Sequence, residues 1–221
     1  FLAMYAFVYL MIFKIRLDVM SPYEYVMLIF CGLIPFLSFA EALGRGVNSV
    51  TSNSNLIKNT LFPIEFAPVN VVLSSQVLLF VGFVMLFIVM IFFDEVGIAY
   101  IYLPLIVILQ VMFTIGLVWI LSTLNVFFRD LGQIISMIIQ FGFWLTPIFW
   151  SMKILPPEFH DIIKYNPAYY IVEGYRDSLI YNTWFWERAD LSIQYWIITL
   201  VFFFGGAVVF RKLRPHFADV L

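Results

Sequence analysis

Residues 69–93 carry no charged side chain. At about 1.5 Å per helical residue the run outreaches a hydrocarbon core of roughly 30 Å. Five more apolar runs accompany it, at residues 1–13, 25–43, 98–124, 133–149 and 193–210. Runs of this length are helices rather than the alternating strands of a barrel. The spacing predicts an all-α integral membrane protein with six transmembrane helices per chain. Composition agrees, because 63% hydrophobic and 12% charged residues lie outside the range of soluble domains. A net charge of −2 offers no basic surface and suggests no role with nucleic acid. The chain opens at Phe1 inside an apolar run, so we expect native residues upstream and read no signal peptide.

The run at 133–149 is slightly too short. It gives about 24 Å of helix, and Pro147 favours a kink or stop near its far end. The chain is then expected to leave helical geometry at membrane depth. Irregular backbone survives there only when it is buried in protein or lines a water-filled space. This is a first hint of a pathway rather than a plain anchor. In the run at 25–43, Pro35 also needs neighbouring groups to satisfy freed backbone, which places that helix inside the bundle. Glu41 and Arg45 stand four apart at its end and can pair.

Residues 44–68 are rich in Ser, Asn, Gly and Pro. Within them the Ser52-Asn53-Ser54-Asn55 run offers helix N-caps ahead of Leu56, Ile57, Lys58 and Leu61, and Pro63 closes the piece. The pattern fits a short amphipathic helix at the membrane surface. An ordinary surface loop fits as well. Residues 151–192 resolve into two short amphipathic helices. One begins at Pro156-Pro157 and ends at Asn166-Pro167; the second runs over 168–181, with Ile171, Val172, Tyr175 and Leu179 at helical spacing. Glu173, Arg176 and Asp177 fall on its polar side. Both are too short and too charged to span, so they should lie in or dip into the outer leaflet.

Lysine and arginine placement sets orientation. Loops on the side of the basic C-terminus hold Arg45, Lys58, Arg129, Arg211, Lys212 and Arg214, whereas the other side's short loops hold only Lys14 and Arg16. The hairpin's Lys153, Lys164, Arg176 and Arg188 even the raw count, and the short loops lead us to expect a cytoplasmic C-terminus. The turn with Arg129 and Asp130 is then cytoplasmic, and the hairpin faces outward.

No catalytic constellation is apparent. His160 and His216 fall on opposite sides, and one cysteine with two distant histidines builds no metal site. Cys31 reads as inert packing. There is no phosphate-binding GxxxxGK[ST] loop, so any ATPase must be another chain. No ionisable residue sits near the middle of an apolar run, which argues against a proton-coupled carrier. Aromatics are the remaining positive signal. Phe141, Phe143, Trp144, Phe149 and Trp150 crowd the short run, and Tyr5, Tyr9, Phe36 and Phe39 recur in the first two. Lipid-facing bulk and an interfacial belt account for most such rings. Alternatively, some line a pathway. Aromatic faces contact the C–H faces of sugars without gripping any one of them, which suits a sliding polymer.

The turn NVFFRDLGQI, then FWLTPIFW, then ILPPEFHDIIKYNPAYYIVEGYRDSLI closely resembles the membrane subunit of bacterial ABC-2 type polysaccharide exporters. The stretch SNSNLIKNTLFPIEFAPV is similar to that family's cytoplasmic coupling segment. The resemblance implies one ABC-2 transmembrane domain over residues 1–221. It implies a homodimer joined by two ATP-binding subunits that carry ATP and Mg, with no cofactor or metal in this chain. It implies a multi-pass protein of the bacterial cytoplasmic membrane, moving a polyprenyl-linked polysaccharide of O-antigen, teichoic acid or capsule type. By this resemblance Asn53, Asn55, Leu56, Ile57, Lys58, Asn59, Leu61 and Phe62 form a coupling helix. Pro156, Phe159, Ile163, Tyr169, Tyr170 and Tyr175 belong to outer gate helices. Tyr5, Tyr9, Phe36, Phe39, Phe141, Trp144, Phe149 and Trp150 are candidate channel rings. An ABC-2 exporter of a small lipid or drug is the rival within transporters; a membrane-embedded sugar or acyl transferase is the rival among enzymes.

Overall fold

The structure, a computed structural model, describes residues 22–54, 63–92, 97–150, 152 and 156–220. Every regular element among them is helical: α1 (Pro22–Gly46), α2 (Phe66–Phe92), α3 (Leu103–Phe127), α4 (Leu131–Leu145), α5 (His160–Lys164), α6 (Pro167–Leu179), α7 (Ala189–Leu213) and α8 (Phe217–Val220). Four stretches are long and apolar enough to cross a membrane: Glu24–Gly46, Phe66–Ile91, Ile98–Phe127 and Ala189–His216. The helix expected over residues 1–13 lies outside the described residues.

α1 is the hub. Its spanning window is 72% buried, against 28% for α2 and 22% for α7. It packs on α2, α6 and α3, while α3 and α7 form the most extensive pairing. Small residues permit the close approaches. A Cβ on Gly116 would sit 2.4 Å from the Phe202 carbonyl oxygen, and one on Gly206 would sit 2.3 Å from the Gly116 carbonyl oxygen. Such contacts let helix backbones touch where lipid offers no hydrophobic drive for association.

Pro35 lies inside α1 as expected, and the helix is interior. The Pro35 carbonyl accepts a 3.1 Å hydrogen bond from Gln110 Nε2 on α3. Gln110 Oε1 in turn accepts from the Tyr175 hydroxyl of α6 at 2.7 Å. Gln110 and Tyr175 are fully buried, so this neutral network ties three helices together in the interior of the bundle. Glu41 and Arg45 pair at 2.8 Å, as their spacing predicts.

α4 departs from the sequence reading. It begins at Leu131 and stops at Leu145 rather than near Phe149. The residue before a proline is pushed out of helical geometry. Thr146 obeys, with φ −88 and ψ 134. α6 departs too. Its expected polar side does not face outward: the helix is enclosed by α1, α3 and α7, with Tyr169, Ile171, Val172, Tyr175, Arg176 and Leu179 all buried.

The two ends of the bundle differ. At one, Val50, Val126, Phe210 and Phe217 cluster, and Arg214 pairs with Glu65. At the other, the turn after α6 folds back through Asn182, whose φ of 49 lies in the left-handed region that asparagine tolerates. Its Oδ1 accepts from the Ala99 N–H at 2.9 Å, and the Tyr102 hydroxyl donates to the Thr183 carbonyl at 2.6 Å.

Candidate functional site: a guanidinium lock beside an open helix face

After α4 the backbone is irregular over residues 146–150, and its polar groups must find partners inside the protein. The Thr146 hydroxyl donates back to the Gly142 carbonyl at 2.7 Å and accepts from Asn166 Nδ2 at 3.1 Å. The next three carbonyls each receive a side chain. Arg176 Nη1 donates to Pro147 O at 2.6 Å, Arg176 Nη2 to Ile148 O at 2.7 Å, and the Tyr25 hydroxyl to Phe149 O at 3.1 Å. The segment is therefore buried in protein rather than open to water. That answers the first of the two alternatives the short run posed.

Arg176 is fully buried. The sequence pattern put it on the polar side of its helix; the structure turns it into the core. A guanidinium has five N–H donors, and a buried charge is tolerated only when they are filled. Here they are. Besides the two carbonyls above, Nε and Nη2 donate to Leu28 O at 3.2 and 3.1 Å, and Nη1 donates to Glu173 Oε1 at 2.9 Å. Gly32 makes the approach possible, since a Cβ there would lie 3.1 Å from Arg176 Nη2. One side chain thus locks α1, the break after α4 and α6 together.

Charge is balanced nearby. Arg188 bridges Asp177, with Nη1 at 2.9 Å from Oδ1 and 3.0 Å from Oδ2, and approaches Glu173 Oε2 at 3.5 Å. Burial pushes the Asp177 carboxyl up to about 6, against the opposing pull of Arg188. Of the expected local pairing, Glu173 with Arg176 is present, whereas Asp177 pairs with Arg188, a member the spacing had not pointed to.

The candidate channel rings separate into two groups. Phe36, Phe39 and Phe149 are buried, with Phe39 stacked on Phe113 at 5.9 Å and Phe36 tilted against Phe143 at 5.6 Å. Trp150 is half-buried. Phe141 and Trp144 are 70% and 63% exposed. They share one face of α4 with Gln133, Ser136, Met137 and Gln140, all exposed. No such mixture occurs over residues 77–91 of α2, where every exposed position is apolar. Among the gate residues, Tyr169 and Tyr175 are buried, Tyr170 stacks on Tyr195 at 4.3 Å, Ile163 is half-buried, and Pro156 and Phe159 are exposed. Arg129 and Asp130 are exposed at the α3–α4 turn.

Of the coupling residues only Asn53 is described; Asn55, Leu56, Ile57, Lys58, Asn59, Leu61 and Phe62, like Tyr5 and Tyr9, lie outside the described residues. Ser52 Oγ donates to Asn48 O at 2.6 Å and Asn53 Nδ2 to Ser49 O at 2.7 Å, so both bond to the preceding turn.

A helical bundle with four stretches long and apolar enough to span, apolar outer faces, one mixed polar and aromatic face and a short helix locked from within defines a multi-pass membrane protein. Residues 1–180 match the family described as ABC-2 type transporter, and the chain belongs to that family. It is 33% identical over 223 residues to an O-antigen export system permease protein RfbA of Klebsiella pneumoniae, covering 99% of this chain and 83% of the relative. A second such protein from Klebsiella pneumoniae is 32% identical, with the same coverage. The RfbA protein of Myxococcus xanthus is 22% identical, covering 96% of this chain and 82% of the relative.

Proposed function

We propose that this chain is the membrane subunit of an ATP-driven exporter that moves a polyprenyl-linked polysaccharide of the O-antigen type across a bacterial cytoplasmic membrane. Two copies with six spans each would assemble with two ATP-binding subunits, which bring ATP and Mg. The observation that carries this reading is the exposed face of α4. Glutamine amides facing hydrocarbon would lose their hydrogen bonds to water, a loss of several kcal/mol by about the usual measure. Gln133 and Gln140 are exposed on this otherwise apolar helix, which supports a face turned to something other than lipid. A polysaccharide fits: the amides exchange hydrogen bonds with successive hydroxyls, and Phe141 and Trp144 present rings to C–H faces. Neither contact demands one fixed sugar, so the polymer can advance. The end opposite the hairpin would face the cytoplasm; what supports this is the cluster of Arg211, Lys212 and Arg214 at the C-terminus together with Arg45 and Arg129 in the loops of that side. The coupling segment would begin at Asn53 and meet the ATPase there.

The test is purification of the full-length tagged protein from native membranes in mild detergent, with stoichiometry by mass. Two of these chains with two ATP-binding subunits is the expected complex. The chain alone, or bound only to a glycosyltransferase, would overturn the reading in favour of the membrane enzyme. In the intact complex, Lys58→Glu with Leu56→Asp should abolish ATPase association and export together.

A further inference from the structure

The turn Asn125–Asp130 is not used by the lock or by the α4 face. Asn125 ends the buried side of α3 and is itself buried. Its Nδ2 donates to Asn48 Oδ1 at 3.1 Å and reaches Thr51 Oγ1 at 3.5 Å. Asn48 is fastened at its other side. Its carbonyl accepts from Thr51 Oγ1 at 3.1 Å as well as from Ser52 Oγ. The same Asn48 amide lies over the start of α4, where a Cβ on Gly132 would come within 3.2 Å of Oδ1. Residues 48–53, which lead directly into the coupling segment, are thus bonded to the end of α3 and in contact with the first turn of α4.

We infer that Asn125 and Asn48 form a polar clasp that carries motion of the coupling segment to α4. The inference rests on the exporter reading and adds the residues through which that reading works. Two features favour a working joint over a simple brace. Among the described residues, Ser49 Oγ, Thr123 Oγ1 and Asn125 Oδ1 are buried without a hydrogen-bond partner, at or within two residues of the clasp. Buried polar atoms are normally hydrogen-bonded, so unfilled ones beside the clasp leave it alternative partners to exchange. The clasp also borders an open pocket of about 340 Å³ lined by Thr51, Ser54, Val126 and Arg129, so it has room to rearrange. α4 is the helix that presents Gln140, Phe141 and Trp144. Pulling its first turn shifts that face directly, whereas α2 packs chiefly on α1 and α3.

The experiment measures polymer exported per ATP hydrolysed by the full complex in proteoliposomes. Asn48→Ala and Asn125→Ala should each lower that ratio at least about fivefold, the low end of measured coupling between sites. Because both remove one link, the double variant should be no worse than either. Asn48→Asp keeps an acceptor for Asn125 Nδ2 and should restore the ratio. This rescue separates a joint from a fold defect, and Asn48 is exposed, so its variants are expected to assemble even where Asn125→Ala does not. An unchanged ratio in Asn48→Ala, or additive losses in the double variant, overturns the clasp alone. A wild-type complex with no ATP-dependent export overturns the exporter reading and the clasp with it.

Discussion

At the residue scale the molecule turns on Arg176. Removing it strands three backbone carbonyls and Glu173 in the interior, and breaking one partner of a buried ionic cluster costs about 3–5 kcal/mol. Arg176→Ala should therefore lower the thermal unfolding midpoint of the purified protein sharply. Arg176→Lys should recover little, because an ammonium has three donors where five are used. Asp177 sets a pH dependence. Its folded carboxyl titrates near 6, above the value of 3.8 expected unfolded, so the folded state binds the proton more tightly. Stability from this group is then greatest below pH 4 and declines as pH rises towards 6, levelling off beyond. Asp177→Asn should flatten that slope in unfolding curves taken between pH 4 and 7. The sequence displays Glu173, Arg176 and Asp177 as neighbours on a helix. It does not display Leu28, Pro147 and Ile148 as their acceptors, because backbone carbonyls have no residue type and the contacts span up to 148 positions. Helical periodicity therefore assigned Arg176 to water.

At the scale of elements the apolar runs were legible and the breaks only partly so. Pro147 signalled the end of α4 from the residue types alone, yet the expected stop came four residues late, since the strain falls on Thr146 before the ring. Enclosure of α6 was hidden: its mean polarity is that of a surface helix, and what draws it in is the lock and the Tyr175–Gln110 bond. Helix pairing was not legible either, because Gly116 and Gly206 look no different from Gly205 in sequence. In the structure they differ. Gly116→Ala forces a Cβ onto the backbone of α7 and should destabilise by about 1–3 kcal/mol, as overpacking does. Gly205→Ala meets nothing within 4 Å and should be neutral or stabilise by about 0.5–1 kcal/mol. Chemical unfolding of the two variants in the same detergent compares them directly.

At the scale of the whole molecule, aromatic content alone could not separate packing from pathway, because both use the same rings. Burial separates them. Phe39→Ala empties core space against Phe113 and should destabilise by about 3–5 kcal/mol. Phe141→Ala with Trp144→Ala removes exposed rings and should leave the unfolding midpoint of the single chain within experimental scatter while export slows. Measured side by side, the two variants should split stability from transport. The lock has a further consequence for how such a chain is made. Leu28, Pro147 and Ile148 all leave the ribosome before Arg176 does. The guanidinium is too strongly hydrated to leave water until its acceptors are in place. Burying this one arginine therefore requires α1 and the break after α4 to be in place first, so the lock closes late in the order of the chain.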